Sequence, residues 1–313
     1  MPDELNKTAL TSEDVAAILK IARNTVYELI KRGELNCYKV GRKVRFTMAD
    51  VETYIKNSRL AQAGGDERPQ TLKETNPSSG GFIICGQDVM LDVLSNYLSR
   101  RLGGFPILRA YIGSYNGLAA LYRGEVQAAT AHLWDGDTGE YNVPYVRRLL
   151  PGVRAEIIGL TWRVQGFYVA KGNPENIRSW SDLTRPGLRM VNREKGAGSR
   201  VLLDEQLRLL HVFGRSIEGY DVEVQSHHAV ASAVGRGEAQ VGVGHQKAAE
   251  QVENVDFIPL QKERYDLVVK KEDADSRIIG ELREILRSES FKREFAPMAG
   301  YDLECMGRMI AET

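Results

Sequence analysis

The residues best equipped for chemistry gather in Val191-Asn192-Arg193-Glu194-Lys195-Gly196-Ala197-Gly198-Ser199-Arg200-Val201-Leu202-Leu203. This pattern predicts the end of a buried strand, a glycine-rich turn and the first turn of a helix. Such a turn aims backbone N–H groups and the positive end of the helix dipole at one spot. Asn192, Arg193, Gly198, Ser199 and Arg200 bring further donors to it. The chemistry implied is anion binding. No Gly-Lys-Ser/Thr ending is present, so a nucleotide-hydrolysing P-loop is not indicated. More polar residues fall just beyond other expected strands: Gln87 and Asp88, then Ser114, Tyr115 and Asn116, then His132 and Trp134, with Arg163, His227 and His228 later. Open α/β sheets bind ligands at such strand ends. These residues are expected to line one cleft, and their aromatic and imidazole content suits an organic anion better than a bare tetrahedral one.

Catalytic patterns are missing. No Ser-His-Asp, Cys-His or paired-carboxylate arrangement stands out, so no catalytic residue is expected. Adjacent His227 and His228 rarely converge on one ion. The run from Asp135 to Glu140 departs from the spacing of an EF-hand loop. Gly242 to Lys247 lacks the third glycine of a dinucleotide fingerprint. Neither a metal nor a cofactor is expected.

The elements that must position these residues alternate strand, loop and helix. Strands are expected over 82–86, 107–112, 128–131, 166–170, 188–191, 221–224, 240–244, 256–260 and 265–269, which argues for a parallel α/β sheet. Two phrases echo each other: "GSYNGLAALYRGEVQAATAH" and "SHHAVASAVGRGEAQVGVGH". Each is a polar loop, an alanine-rich helix, Arg-Gly-Glu, a short strand and a histidine. Two lobes follow, the first about 82–163 and 260–313, the second about 164–259, with two crossovers forming a hinged cleft.

Ahead of them, Thr11 caps a short helix through Asp14. After a tight turn, Arg23 to Lys31 reads as a second helix, and Gly33 stops it. Two short alternating segments joined by Gly41-Arg42-Lys43 form a basic-tipped hairpin, and Thr47 caps a last helix. Helix, turn, helix and basic hairpin make a winged helix-turn-helix over residues 1–60. From Lys20 to Arg45 there are eight Lys or Arg against two acidic residues. That local excess supplies phosphate attraction. Arg23, Asn24, Thr25, Tyr27 and Lys31 on the second helix, with Arg42, Lys43 and Arg45 on the wing, are the expected contacts to double-stranded DNA. Residues 61–81 are polar and rich in Gly, Pro and Ser, and read as a flexible linker.

The head resembles the excisionase-type, MerR-like domain in "LTSEDVAAILKIARNTVYELIKRGEL", "KVGRKVRF" and "ADVETYI". The remainder resembles the PBP-like (type II periplasmic-binding-protein-like) domain found with helix-turn-helix heads or in molybdenum-cofactor biosynthesis proteins. The phrases "HLWDGDTGEYNVPYV", "RVQGFYVAKGNPENI", "VNREKGAGSRVLLD" and "YDLVV" carry that likeness. It implies a two-lobed, hinged α/β receptor and an effector tied to molybdenum metabolism: molybdate, tungstate or a related oxyanion.

Composition bounds the rest. The 313 residues are 42% hydrophobic with a net charge of zero, so the whole chain is no polycation. Three scattered cysteines suit a reducing compartment. Without a signal-like start or an 18-residue apolar run, a cytoplasmic protein with no membrane segment is expected. A homodimer or higher homo-oligomer is expected because one such head binds DNA weakly. A ligand-responsive transcriptional regulator is the leading reading. The alternative is an enzyme or carrier acting on an anionic metabolite of molybdenum-cofactor metabolism.

Overall fold

The computed structural model describes residues 10–19, 21, 23–31, 35, 37–40, 43–48, 50–51, 54, 81–298 and 300–313. The chain divides into two compact units, Met1–Thr75 and Asn76–Thr313. Residues 61–80 of the expected linker lie outside the described residues.

In the first unit, helices Ser12–Leu19 and Arg23–Lys31 precede a hairpin of β1 (Tyr38–Val40) and β2 (Lys43–Arg45). The helix starts are built by one device used twice. Thr11 N–H donates to Asp14 Oδ2 at 2.8 Å, and Asp14 N–H donates back to Thr11 Oγ1 at 3.2 Å. Thr47 and Asp50 repeat both bonds at the same lengths. Each pair satisfies helix-end N–H groups that have no partner within the helix. Leu10 and Phe46, just before the two caps, bridge each other antiparallel. Val15, Val26, Leu29, Leu35, Phe46 and Val51 pack into one small core. Lys43 was expected in the hairpin turn, but it is a strand residue opposite Val40.

The second unit is a nine-stranded sheet in the order β4-β3-β5-β10-β6-β9-β7-β8, with β11 on β6. Its strands are β3 (Phe82–Cys85), β4 (Ile107–Ala110), β5 (Ala128–Ala131), β6 (Ala155–Ala170), β7 (Met190–Arg193), β8 (Glu223–Val224), β9 (Val241–His245), β10 (Val255–Lys270) and β11 (Met309–Glu312). In the first lobe β3 pairs in parallel with β4 and β5; in the second, β7 pairs in parallel with β8 and β9. Helices cover both faces of each lobe, leaving separate apolar cores on either side. This is why the central strands read as nearly continuous apolar runs.

Strands β6 and β10, 16 residues each, belong to both lobes. At roughly 3.3 Å per residue each spans about 50 Å. Their antiparallel ladder runs from Val255↔Ala170 to Lys270↔Ala155, with irregularities at Pro259/Gln261 and Tyr265/Asp266. The expected separate strands over 256–260 and 265–269 are therefore one strand, and the strand expected over 166–170 begins at Ala155. The polar run Gln261-Lys262-Glu263-Arg264 hid the continuity, because polar residues inside a central strand read as a loop. Here Glu263 is buried between the lobes, where its carboxylate has partners.

Candidate ligand-binding site

The C-terminal ends of the parallel strands in both lobes meet across one cleft, with β6 and β10 as its floor. Behind β3, Asp88 caps the helix Val89–Arg101 by accepting from Met90 N–H. Helices Ser114–Tyr122 and Gly198–Leu209 enter from Gly113 and Ala197 without a side-chain cap. Ser226 caps the helix His227–Gly235.

Arg163 organises the floor. Its Nη1 donates to Asp88 Oδ2 at 2.6 Å, its Nη2 lies 2.6 Å from Glu263 Oε1, and its guanidinium stacks 4.1 Å from the Tyr265 ring. Glu263 Oε2 accepts from Gln165 Nε2 at 2.7 Å and lies 2.7 Å from His132 Nδ1. The Tyr301 hydroxyl reaches both Asp88 oxygens, at 2.9 and 3.0 Å. Burial alone would raise both carboxylates. Arg163 outweighs that, with help from His132 at Glu263 and from the Met90 N–H at Asp88, and holds both below the usual carboxylate range. Two further imidazoles, His227 and His245, stand 4.4 Å apart between ring centres. Burial pushes His245 down to about 3, with Arg163 adding to the fall. Burial, then His245 and Arg193, takes His227 well below its ordinary value. Both rings are neutral at pH 7, and their Nδ1 atoms are buried without a hydrogen-bond partner among the described residues.

Two adjacent chambers result, sharing Gln87, Asp88, His227 and His245 in their walls. An inner one of about 30 Å³ lies among Ser114, Thr130, His132, Arg163, Arg193, Gly198, Tyr265 and the two neutral histidines. An outer one of about 590 Å³ opens among Gln87, Asp88, Tyr111, Asn116, Gln225, His227, His228, His245, Lys247 and Tyr301.

Most of the residues expected at the site meet here. Gln87, Asp88, Ser114, Asn116, His132, Arg163, Arg193, Gly198, His227 and His228 line one chamber or both. Tyr115, Trp134, Asn192, Ser199 and Arg200 do not. Tyr115 is exposed and uses its backbone N–H on Gly196 O at 2.9 Å. Trp134 bridges Tyr141 in the loop beyond β5. Asn192 donates to Tyr220 O, and Ser199 is buried outside both chambers. Arg200 spends its guanidinium on Asp204, Glu223 and the face of Tyr220.

The glycine-rich turn is thus a different object from the one its residues predict. Arg193 is chelated by Glu194 at 2.7 and 2.8 Å and also donates to Gln87. The opposite lobe fills the turn itself. A Cβ on Gly198 would stand 2.5–2.6 Å from the His132 ring, and one on Gly113 would stand 2.9–3.0 Å from Gly196 O and Ala197. These glycines admit the other lobe at close range.

Sequence reading missed Thr130, Glu194, Gln225, His245, Lys247, Glu263, Tyr265 and Tyr301. The echo that ends in His132 also ends in His245, and that signal could have found it. In the first unit, Arg23 is an exposed residue at the start of its helix, ion-paired with Glu13 at 2.8 Å, and Thr25 is exposed. Arg45 donates to Val44 O. Arg42 lies outside the described residues, as do the side chains of Asn24, Tyr27, Lys31 and Lys43.

A two-lobed α/β body with strand ends converging on a shared cleft defines a periplasmic-binding-protein-like receptor domain. The chain belongs to that group: residues 95–287 match the PBP superfamily domain, and residues 9–59 match a helix-turn-helix domain, a DNA-binding fold. It is 43% identical over 312 residues to the uncharacterized protein YvgK of Bacillus subtilis (strain 168), covering 99% of this chain and all of that one. Among solved structures it resembles PhnD1 of Prochlorococcus marinus in complex with methylphosphonate (TM-score 0.51, 18% identity, 74% of this chain and 93% of that one). It also resembles a phosphate ABC transporter substrate-binding protein with bound phosphate from Clostridium perfringens (TM-score 0.51, 14% identity, 68% and 96%). At these identities the likeness is one of fold. Among the described residues, no helix is long and apolar enough to cross a membrane.

Proposed function

We propose that the protein is a cytoplasmic one-component transcriptional regulator. A small anionic guest in the cleft sets the affinity of the helix-turn-helix head for double-stranded DNA. The observation that carries this reading is a cleft lined from both lobes in a chain that also has a DNA-binding head. A guest touching both walls favours one lobe arrangement over others, and a differential affinity of about 1–3 kcal/mol shifts that balance 5- to 150-fold. Pairing of two chains as a homodimer would let that shift set how two heads engage one site.

Candidate guests are molybdate, tungstate and related oxyanions, or a small organic anion. The test begins by selecting bound duplexes from a random pool with the full chain. Fluorescence anisotropy then follows the best duplex with molybdate, tungstate, phosphate, sulfate and small organic anions. At least one guest should change DNA affinity by about five-fold or more. Affinity indifferent to the whole panel would sink the reading. The alternative, an enzyme or carrier for an anionic metabolite, draws its support from the buried His132–Glu263 pair. It requires conversion or carriage of the guest, and NMR of the same mixtures would reveal conversion.

A further inference from the structure

We propose that the guest is an organic anion whose charged group is held by Lys247 while its body fills the outer chamber. This rests on the sensing function above and names the class of guest.

The cations of the cleft differ in what they have left to give. Arg163 is shared between Asp88 and Glu263, and Arg193 is chelated by Glu194. Lys247 lines the outer chamber, and its Nζ rests 3.4 Å from the thioether of Met298 and 4.8 Å from the centre of the Tyr301 ring. No carboxylate among the described residues lies within ion-pair distance of it. A thioether and a π-face hold an ammonium weakly. A charge-assisted hydrogen bond to an anion is about twice as strong as a neutral one, so an arriving anion displaces them.

Size and charge then select the body attached to that anion. The outer chamber of about 590 Å³ falls within the range of roughly 300–1,000 Å³ typical of organic-ligand pockets. The inner chamber of about 30 Å³ has room for a water-sized group only. Its two guanidiniums, Arg163 and Arg193, are already engaged by Asp88, Glu263 and Glu194, which leaves little charge for a bare dianion. The walls of the outer chamber carry the imidazoles of His227 and His245 and the ring of Tyr301, which give a ring or polar chain faces and hydrogen-bond partners. The two carboxylates that also line it, Asp88 and Glu194, are already engaged by Arg163 and Arg193.

The test uses calorimetry and thermal melts of the full chain with phenyl phosphate, benzoate, inorganic phosphate and molybdate. An organic probe should bind about ten-fold or more tighter than either inorganic anion. Lys247→Met should weaken it about ten-fold, a change of about 1.4 kcal/mol. Lys247→Arg should restore it, and both variants should melt like the wild type without a probe. Organic binding unmoved by Lys247→Met would remove Lys247 from the site. Tighter binding of molybdate or inorganic phosphate would overturn the guest class and leave the sensor standing. Silence from all four probes would overturn the proposal, while the sensor falls only if DNA affinity also ignores the wider panel.

Discussion

Two stretches of this chain follow one plan and end in the same residue, yet their histidines live in different electrostatic worlds. In the first lobe the helix Ser114–Tyr122 leads through Arg123-Gly124-Glu125 and β5 to His132. In the second, the helix His227–Gly235 leads through Arg236-Gly237-Glu238 and β9 to His245. The turns match closely. Arg123 chelates Glu125 at 2.6 and 2.9 Å, and Arg236 chelates Glu238 at 2.7 and 2.9 Å. Gly124 and Gly237 take left-handed φ values of +73° and +76°. Both histidines arrive at the cleft, but His132 meets Glu263 and His245 meets another imidazole. Local sequence sets where each ring lands. What it meets there comes from distant strands.

The most damaging way to break the comparison is Glu263→Gln. It removes a partner from both Arg163 and His132, and breaking a buried ion pair costs about 3–5 kcal/mol. Urea denaturation measures the loss, and a loss under about 1 kcal/mol would mean that water already screens the network. Because its folded value is depressed, Glu263's contribution is complete above the ordinary carboxylate range and fades as the pH falls through and below that range.

A second, smaller effect follows His245 alone as the pH changes. The unfolded chain protonates His245 near 6.5, whereas the folded chain, with Arg163, Asp88, Glu263 and His132 around that ring, protonates it near 3. Acidification between those values therefore favours unfolding, by up to about 1.4 kcal/mol per pH unit for this residue. His245→Gln should flatten the wild-type decline between pH 6.5 and 5. An unchanged slope in melts across that window would show that the ring is not buried in the neutral form.

The mildest test sharpens the likeness. Alanine at Gly124 or Gly237 meets open space, so only the left-handed backbone opposes it. Each change should cost about 1 kcal/mol, and the two costs should be equal. Unequal melting shifts would mean that the turns are alike in shape alone.

What the sequence revealed divides along the same line. The repeat, the strand ends and the capped helices of the head follow from neighbours in the chain, and so they were legible. Ten of the fifteen expected ligand residues reach the chambers because their strands and loops do. Arg200 and Asn192 were misjudged because donors on a loop look alike until Glu223 and Tyr220 arrive from elsewhere to engage them. Glu263 and Tyr265 were missed because nothing local marks a strand that serves two lobes. Lys247 was passed over because nothing local shows that, among the described residues, no carboxylate comes within ion-pair distance of it.

The shared ribbon of β6 and β10 has a mechanical consequence. No slack loop joins the lobes along this path; the rungs between Ala155 and Ala170 run through the crossing. Opening must therefore twist a paired band, as one wrings a leaf spring, and the irregular rungs at Pro259/Gln261 and Tyr265/Asp266 are where it yields first. Any turn imposed on one end of such a band is handed on to the other.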